Sequence, residues 1–212
     1  CEARVWSFFN RFNKEVGAKY LSYIQCETKE RMPLYIKADR LLSAQDIKDA
    51  MRDHYEGTPF DITKDAGAGP YEAPYRPTPL SWEYKGKKYF NERPISTQQT
   101  AGTYVIQLRD FMPNAVGGVL WYGNDDPNMV AYTPVYCSAT KEPECYNPKD
   151  ADGVTFSWNS AFWIENWVAN MVYPRYSQLF PSLKKARQEL EDKYAAQQAQ
   201  IENKAQMLLK ED

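Results

Sequence analysis

Between Thr58 and Pro79 the chain runs through AGAGPYEAPYRPTP, and this density of proline and glycine limits what the flanking residues can build. Proline removes a backbone donor and locks φ, and glycine loses the most freedom on ordering, so neither helix nor strand is expected to cross the passage. It is predicted to be a loop, too long for a mere connector in a compact domain, and loops of that length often carry binding residues.

The two flanks follow different periods. Upstream, Val5, Phe8, Phe9, Phe12 and Val16 make a helical apolar face over about Ala3–Val16. A polar link at Glu27–Arg31 leads to a second helix. It opens at Ser43, with Asp46 three positions on in a capping-box arrangement, and continues through Ile47, Ala50, Met51 and Tyr55 to a stop at Gly57. Downstream, Trp82–Tyr84 and Lys87–Phe90 flank a Lys85-Gly86 turn and read as a hairpin. Strands follow at about Thr103–Arg109, Gly118–Tyr122 and Val130–Tyr136. After Gly153 the helical period returns: Trp163, Ile164, Trp167, Val168, Met171 and Val172 form a stripe assigned to core packing and ended by Pro174. A last helix is predicted from Pro181 to Asp212, with Leu183, Ala186, Leu190, Tyr194, Ile201, Ala205 and Leu208 near helical spacing and no stop signal. The class is α+β, an antiparallel sheet with flanking helices and a long C-terminal helix. One compact domain over 1–180 with a truncated helical extension at 181–212 is the expected organisation.

Composition removes several function classes. The 212 residues are 43% hydrophobic, enough for a substantial core, and a net charge of -2 with mixed signs leaves no footprint for nucleic acid or an anionic membrane. No run is long and apolar enough for a membrane span, and no signal peptide or repeat is present. The cysteines at 1, 26, 137 and 145 form no CxxC pair and His54 is the only imidazole, so neither a metal site nor a cofactor is expected. Cys137 and Cys145 flank the polar SATKEPE and could close a disulfide in an exported parent, which leans localisation toward the periplasm or outside; reduced thiols are the alternative.

MRDHYEGTPFD, from Met51 to Asp61, places the single histidine and two acids at a helix end, where carboxylates meet the carbonyl dipole unfavourably. Asp53, His54, Glu56 and Asp61 are candidate wall or orienting groups of a site. The plainer reading makes the acids solvated surface groups and His54 a core or capping residue. This string does not stand alone. With RVW (Arg4–Trp6), NERPISTQQT (Asn91–Thr100), GGVLWYGNDD (Gly117–Asp126) and FSWNSAFW (Phe156–Trp163), it resembles in order the dipeptidase A family of cysteine dipeptidases, relatives of the secernins among the N-terminal-nucleophile hydrolases. The likeness runs from about Arg4 to about Asp192.

The resemblance implies part of a four-layer αββα sandwich and hydrolysis of dipeptides by a cysteine thiolate at the mature N-terminus, its own α-amine acting as base. An α-amine near ~8 and a thiol near ~8.5 can exchange a proton without histidine. In the family the nucleophile opens a strand. Here Cys1 precedes EARVWSFFNRFNKEV, a helical pattern, and RVW falls well inside the family's chain. The nucleophile is therefore expected upstream, with this chain an interior slice and the remainder of the same polypeptide its partner. Cys1 as a matured nucleophile is the alternative. Acyl transfer also needs oxyanion donors and a cation for the substrate carboxylate. Asn91 and Gln98 are the candidate donors, Arg93 the bidentate grip, and Thr97 a substrate contact; the competing view has Arg93 paired with Glu92 or Asp110.

Two other classes compete. A serine or cysteine triad would use His54 as base, although no GxSxG elbow is present. A noncatalytic module would bind through Tyr71, Tyr75 and Trp82. A sheet lacking its first strands leaves an edge and an apolar face uncovered, so the chain is expected to purify as a homo-oligomer or with a bound partner. Light scattering at micromolar concentration checks this, and a clean monomer counts against it.

Overall fold

The structure, a computed structural model, describes residues 2–76, 81–90, 93–147, 149 and 152–211. They form two compact units, Cys1–Gly69 with Pro74–Thr97, and Pro70–Ala73 with Gln98–Asp212.

The first unit begins with three short helices, α1 (Glu2–Phe12), α2 (Lys14–Lys19) and α3 (Leu21–Ile24), the first two replacing the one continuous helix expected over about Ala3–Val16. Asn13 causes the break. It sits in an extended conformation and its side chain accepts from the Val16 amide, starting a new helix instead of continuing the old one. Gly17 lets α2 press onto α1, because a Cβ there would collide with the Asn10 side chain, and its carbonyl accepts from Trp6 Nε1 at 2.8 Å. The expected apolar face is only partly covered. Trp6 and Phe12 are buried, Phe8, Phe9 and Val16 are half-buried, and Val5 is exposed.

Helix α4 (Ala44–Met51) starts as predicted. Ser43 caps it with both halves of the capping box in place, and Arg40 and Ser43 hold Asp46 well below the usual carboxylate range. It ends earlier than predicted, with Arg52 as C-cap, so Asp53–Gly57 lies in a loop and not in a last helical turn. The glycine-rich passage is held down by its own side chains. Arg76, almost fully buried, donates to both Asp65 carboxylate oxygens at 2.6 Å and to the Ile62 carbonyl at 2.9 Å. The hairpin β1 (Ser81–Tyr84) and β2 (Lys87–Phe90) pairs in the predicted register, with Lys85 and Gly86 at φ of 50° and 74°, the left-handed pair that a two-residue hairpin turn needs.

The second unit is built on an antiparallel meander of β3 (Thr103–Leu108), β4 (Gly118–Gly123) and β5 (Thr133–Tyr136), preceded at β4 by the one-turn helix α5 (Asn114–Gly117). β5 begins three residues later than predicted, at Thr133. Thr103, Val105, Val119, Trp121 and Gly123 turn to the buried side, and a Cβ at Gly123 would lie 2.6 Å from Val130. On the other face of β3, Tyr104, Ile106 and Leu108 are 62%, 59% and 77% exposed, and β3 is a sheet edge among the described residues.

Helix α6 (Ala161–Val172) is capped by Ser160, and Pro174 falls in the short 3-10 turn after it. Its tryptophan stripe corrects the packing assignment. Only Ala169 and Val172 are buried, while Trp163 and Trp167 join Phe156 around an open cavity of about 410 Å³. The rings pack edge-on against one another, with Phe156 4.9 Å from Trp158 and 5.6 Å from Trp167. Helix α7 (Tyr176–Glu211) starts five residues before Pro181, which lies within it. It is pinned through charge: Arg109 grips Glu202 with two bonds of 2.9 and 2.6 Å, and Tyr136 Oη donates to the same carboxylate at 3.0 Å. Further up, Glu191 accepts from the Tyr132 amide at 2.9 Å, and Arg187 donates to the Asn128 carbonyl.

Glu165 on α6 has one oxygen, Oε2, that is covered and without a hydrogen bond among the described residues. Burial raises its pKa to about 8, opposed by a hydrogen bond from the Asn124 backbone and aided by Asp125. The folded value lies above the ordinary 4.5, so the contribution to stability is present below about 4.5 and lost as pH rises through about 8. Glu165→Gln should match the parent below about pH 4.5 and exceed it increasingly up to about pH 8, the gap growing by at most about 1.4 kcal/mol per pH unit and levelling off above that. Urea titrations at several pH values check this; parallel curves would contradict it.

Candidate functional site

The site grows from the end of α4. Once the helix stops at Met51, Asp53 turns inward and is 3% exposed. A buried carboxylate needs donors and an opposite charge. Ser7 Oγ donates to its Oδ2 at 2.5 Å and Arg11 Nη2 to its Oδ1 at 2.7 Å, both from one face of α1. The Asp53 carbonyl meanwhile accepts from the Ser96 amide at 3.1 Å. One residue thus ties α1, the end of α4 and the segment after the hairpin.

His54 is completely buried. Its Nδ1 lies 2.9 Å from Glu56 Oε1, its amide donates to Glu56 Oε2 at 2.7 Å, and its ring meets Tyr75 edge-on. Nε2 has no hydrogen bond among the described residues. Burial alone would raise the Glu56 carboxyl, but the His54 ring and amide outweigh it and hold the group below its ordinary value. Tyr55 is also completely buried, and takes a left-handed φ of 65° that a side chain of this size rarely adopts. Its hydroxyl donates to the Arg93 carbonyl at 2.9 Å, and its own carbonyl accepts from Thr58 Oγ1 at 2.7 Å. The strained turn is held from both ends.

Ser7, Asn10, Arg11, Lys14, Asp53, Glu56 and Thr58 line a small polar cavity of about 140 Å³. Arg93, at the start of the anchored segment, is exposed and has no side-chain hydrogen bond or ion pair among the described residues. Thr97 is half-buried in the same segment.

In the second unit the GNDD string is a hub. Asp125, at φ 109° and nearly buried, accepts from Asn166 Nδ2 at 2.7 Å and from the Asp126 amide, and burial raises its carboxyl. Asp126 accepts from the Asn128 amide at 3.1 Å, and Asn128 donates to Tyr176 Oη at 3.0 Å. These bonds join β4 to α6 and α7.

A family model described as Peptidase family C69 matches residues 1–189. The chain belongs to peptidase family C69. Dipeptidase A of Lactobacillus helveticus is 28% identical over 170 residues, 79% of this chain and 30% of that protein. A probable dipeptidase of Latilactobacillus sakei is 27% identical over 206 residues, 95% of this chain and 38% of that protein. A probable dipeptidase of Salmonella dublin is 26% identical over 133 residues, 63% of this chain and 25% of its own length. The C69 chain in hand therefore spans about a third of the length of the curated relatives it matches first.

Within this family member, the bonds from Tyr55 to the Arg93 carbonyl and from the Ser96 amide to the Asp53 carbonyl hold the Arg93–Thr97 segment against the Asp53–Glu56 loop, while Arg93 and Thr97 are not among the residues lining the polar cavity. Asp61 does different work. It accepts from the Thr63 amide and hydroxyl at 3.0 and 2.5 Å and from the Gly57 amide at 3.3 Å, stapling its own loop. Gln98 belongs to the second unit, and Asn91 lies outside the described residues. Ser7 and Arg11 were not singled out from the sequence. The available signal was their four-residue spacing on the polar side of α1, visible only to a reader who already knew that an acid would be buried there. Cys26, Cys137 and Cys145 are free thiols, so Cys137 and Cys145 are not bridged, and burial pushes the Cys145 thiol up.

Ser7→Ala should destabilise the first unit by about 1–2 kcal/mol, since a buried carboxylate oxygen loses its donor. It should also speed hydrogen exchange at the Ser96 amide. Denaturant unfolding together with exchange measures both, and an unchanged Ser96 rate would show that Asp53 does not tie the segment.

Proposed function

We propose that this chain carries substrate-recognition residues of a peptidase that cleaves short peptides, dipeptides foremost, by acyl transfer to a cysteine thiolate outside the described residues. The carrying observation is Arg93, an exposed guanidinium without a partner among the described residues, on a segment anchored through Tyr55 and Ser96. A planar fork on a fixed backbone suits bidentate binding of a terminal carboxylate. Asp53 acts as a positioning group because Ser7 and Arg11 already occupy its oxygens. Glu56, with His54 behind it, offers an acidic wall suited to an ammonium, and Thr97 is a further contact to the substrate. The names of the C69 relatives support the reaction class.

None of the three described thiols is hydrogen-bonded to a base: Cys26 Sγ reaches only the Ile24 carbonyl at 3.9 Å, and Cys145 is shifted away from the thiolate. In this reading the attacking sulfur belongs to an upstream cysteine in the same polypeptide, with Cys1 as the alternative. A His54 triad is disfavoured: Glu56 sits on Nδ1 as a triad acid would, but the ring is completely buried and Nε2 meets no hydroxyl or thiol among the described residues. The aromatic-module reading loses Tyr75, which is buried against His54.

Residues 1–212 alone should not hydrolyse Ala-Ala, and co-expression with the polypeptide encoded upstream of Cys1 should produce the activity. Turnover by the isolated chain that Cys1→Ser abolishes would move the nucleophile to Cys1. In the active form, Arg93→Gln should raise KM by about 10- to 100-fold with a smaller change in kcat, as expected for loss of a charge-assisted pair of about 1.5–3 kcal/mol. An unaltered KM would remove Arg93 from the site.

A further inference from the structure

We propose that the groove between α1 and the Arg93–Thr97 segment is a side-chain subsite selecting peptides whose C-terminal residue is bulky and apolar, such as leucine or phenylalanine. The inference rests on the Arg93 reading and gives that carboxylate's own residue a place to bind. Arg4, Val5, Phe8, Phe9, Leu34 and Ile95 line an open depression of about 530 Å³, within the size range of small-molecule pockets. Four observations point to its occupant.

First, much of the apolar lining is open to water: Leu34, in the chain after α3, is 98% exposed, and Val5 is 43% exposed on α1, whose polar side, Ser7 and Arg11, is already committed to Asp53. Leaving that much aliphatic and aromatic surface in water is unfavourable unless a ligand covers it. Second, Ile95 lies two residues beyond Arg93, in the segment fixed by the Tyr55 hydroxyl and the Asp53 carbonyl, so the groove wall and the carboxylate grip share one anchor. Third, charge selects the ligand's sign. No acid is among the described residues that line the groove, so it offers an ammonium no counter-charge and suits the residue whose carboxylate Arg93 holds. Fourth, the acidic lining residues Asp53 and Glu56 belong to a different cavity, the small polar one, which separates the two kinds of recognition.

Isothermal titration of the chain with N-acetyl-leucine, N-acetyl-alanine and N-acetyl-leucinamide tests this. N-acetyl-leucine should bind at least about tenfold more tightly than N-acetyl-alanine, the ratio expected when a leucine side chain leaves water. Leu34→Ser, at a surface position that leaves the core intact, should erase that preference without weakening the alanine ligand. Equal binding of the leucine and alanine ligands to the parent chain, or no saturable binding up to millimolar concentration, overturns the proposal. So does a leucine preference that survives both Leu34→Ser and Phe8→Ser. The amide arm separates the two readings. N-acetyl-leucinamide binding as tightly as the acid, with the leucine preference intact, refutes the Arg93 grip while the apolar subsite stands.

Discussion

A carboxylate taken almost wholly out of water at Asp53 governs the first unit. The desolvation cost of a charge in that position is several kcal/mol and is offset only by an opposite charge and well-placed donors. Arg11 and Ser7 supply them from successive turns of α1, while the main chain of the same residue receives the Ser96 amide. The loop Asp53–Gly57, the helix beside it and the Arg93–Thr97 segment are therefore fixed in one step. Tyr55 can hold its left-handed turn because its hydroxyl and carbonyl are both occupied. Strain concentrated at a polar cluster is a common property of binding sites.

The second unit uses charge differently. Arg109, Glu202, Arg187 and Glu191 pin a helix of 36 residues by bonds to β5 and the chain around it. Burial pushes Tyr136 up to about 12, with Glu202 adding to the effect, so that hydroxyl remains a donor across the neutral range. GNDD, one of the strings that carries the family likeness, is spent on joining β4 to the two helices through Asp125, Asp126 and Asn128.

Much of the secondary structure was legible in the residues. The capping box at Ser43, the left-handed Lys85-Gly86 pair and the three strands of the meander were found because each depends on interactions within a few residues. The misjudged boundaries have one cause. At Asn13 a side chain prefers capping to continuing a helix, and at Asp53 a distant serine and arginine outbid the helical hydrogen bond. The stripe on α6 had the right period and the wrong environment, since periodicity reports which residues share a face and not whether anything covers it.

The amino-acid order alone determined the α+β class, the helix and hairpin starts, and the C69 family, because local propensities and the succession of unusual strings are written along the chain. Tertiary structure alone decided that Asp53 is bound and Arg93 is open, that His54 is sealed against Tyr75 and Glu56, and that Trp167 of α6 and the Tyr104, Ile106 and Leu108 face of β3 look outward. Those outcomes depend on the free energy of burying a charge or a ring among residues far apart in sequence, and no window of neighbouring residues contains that information.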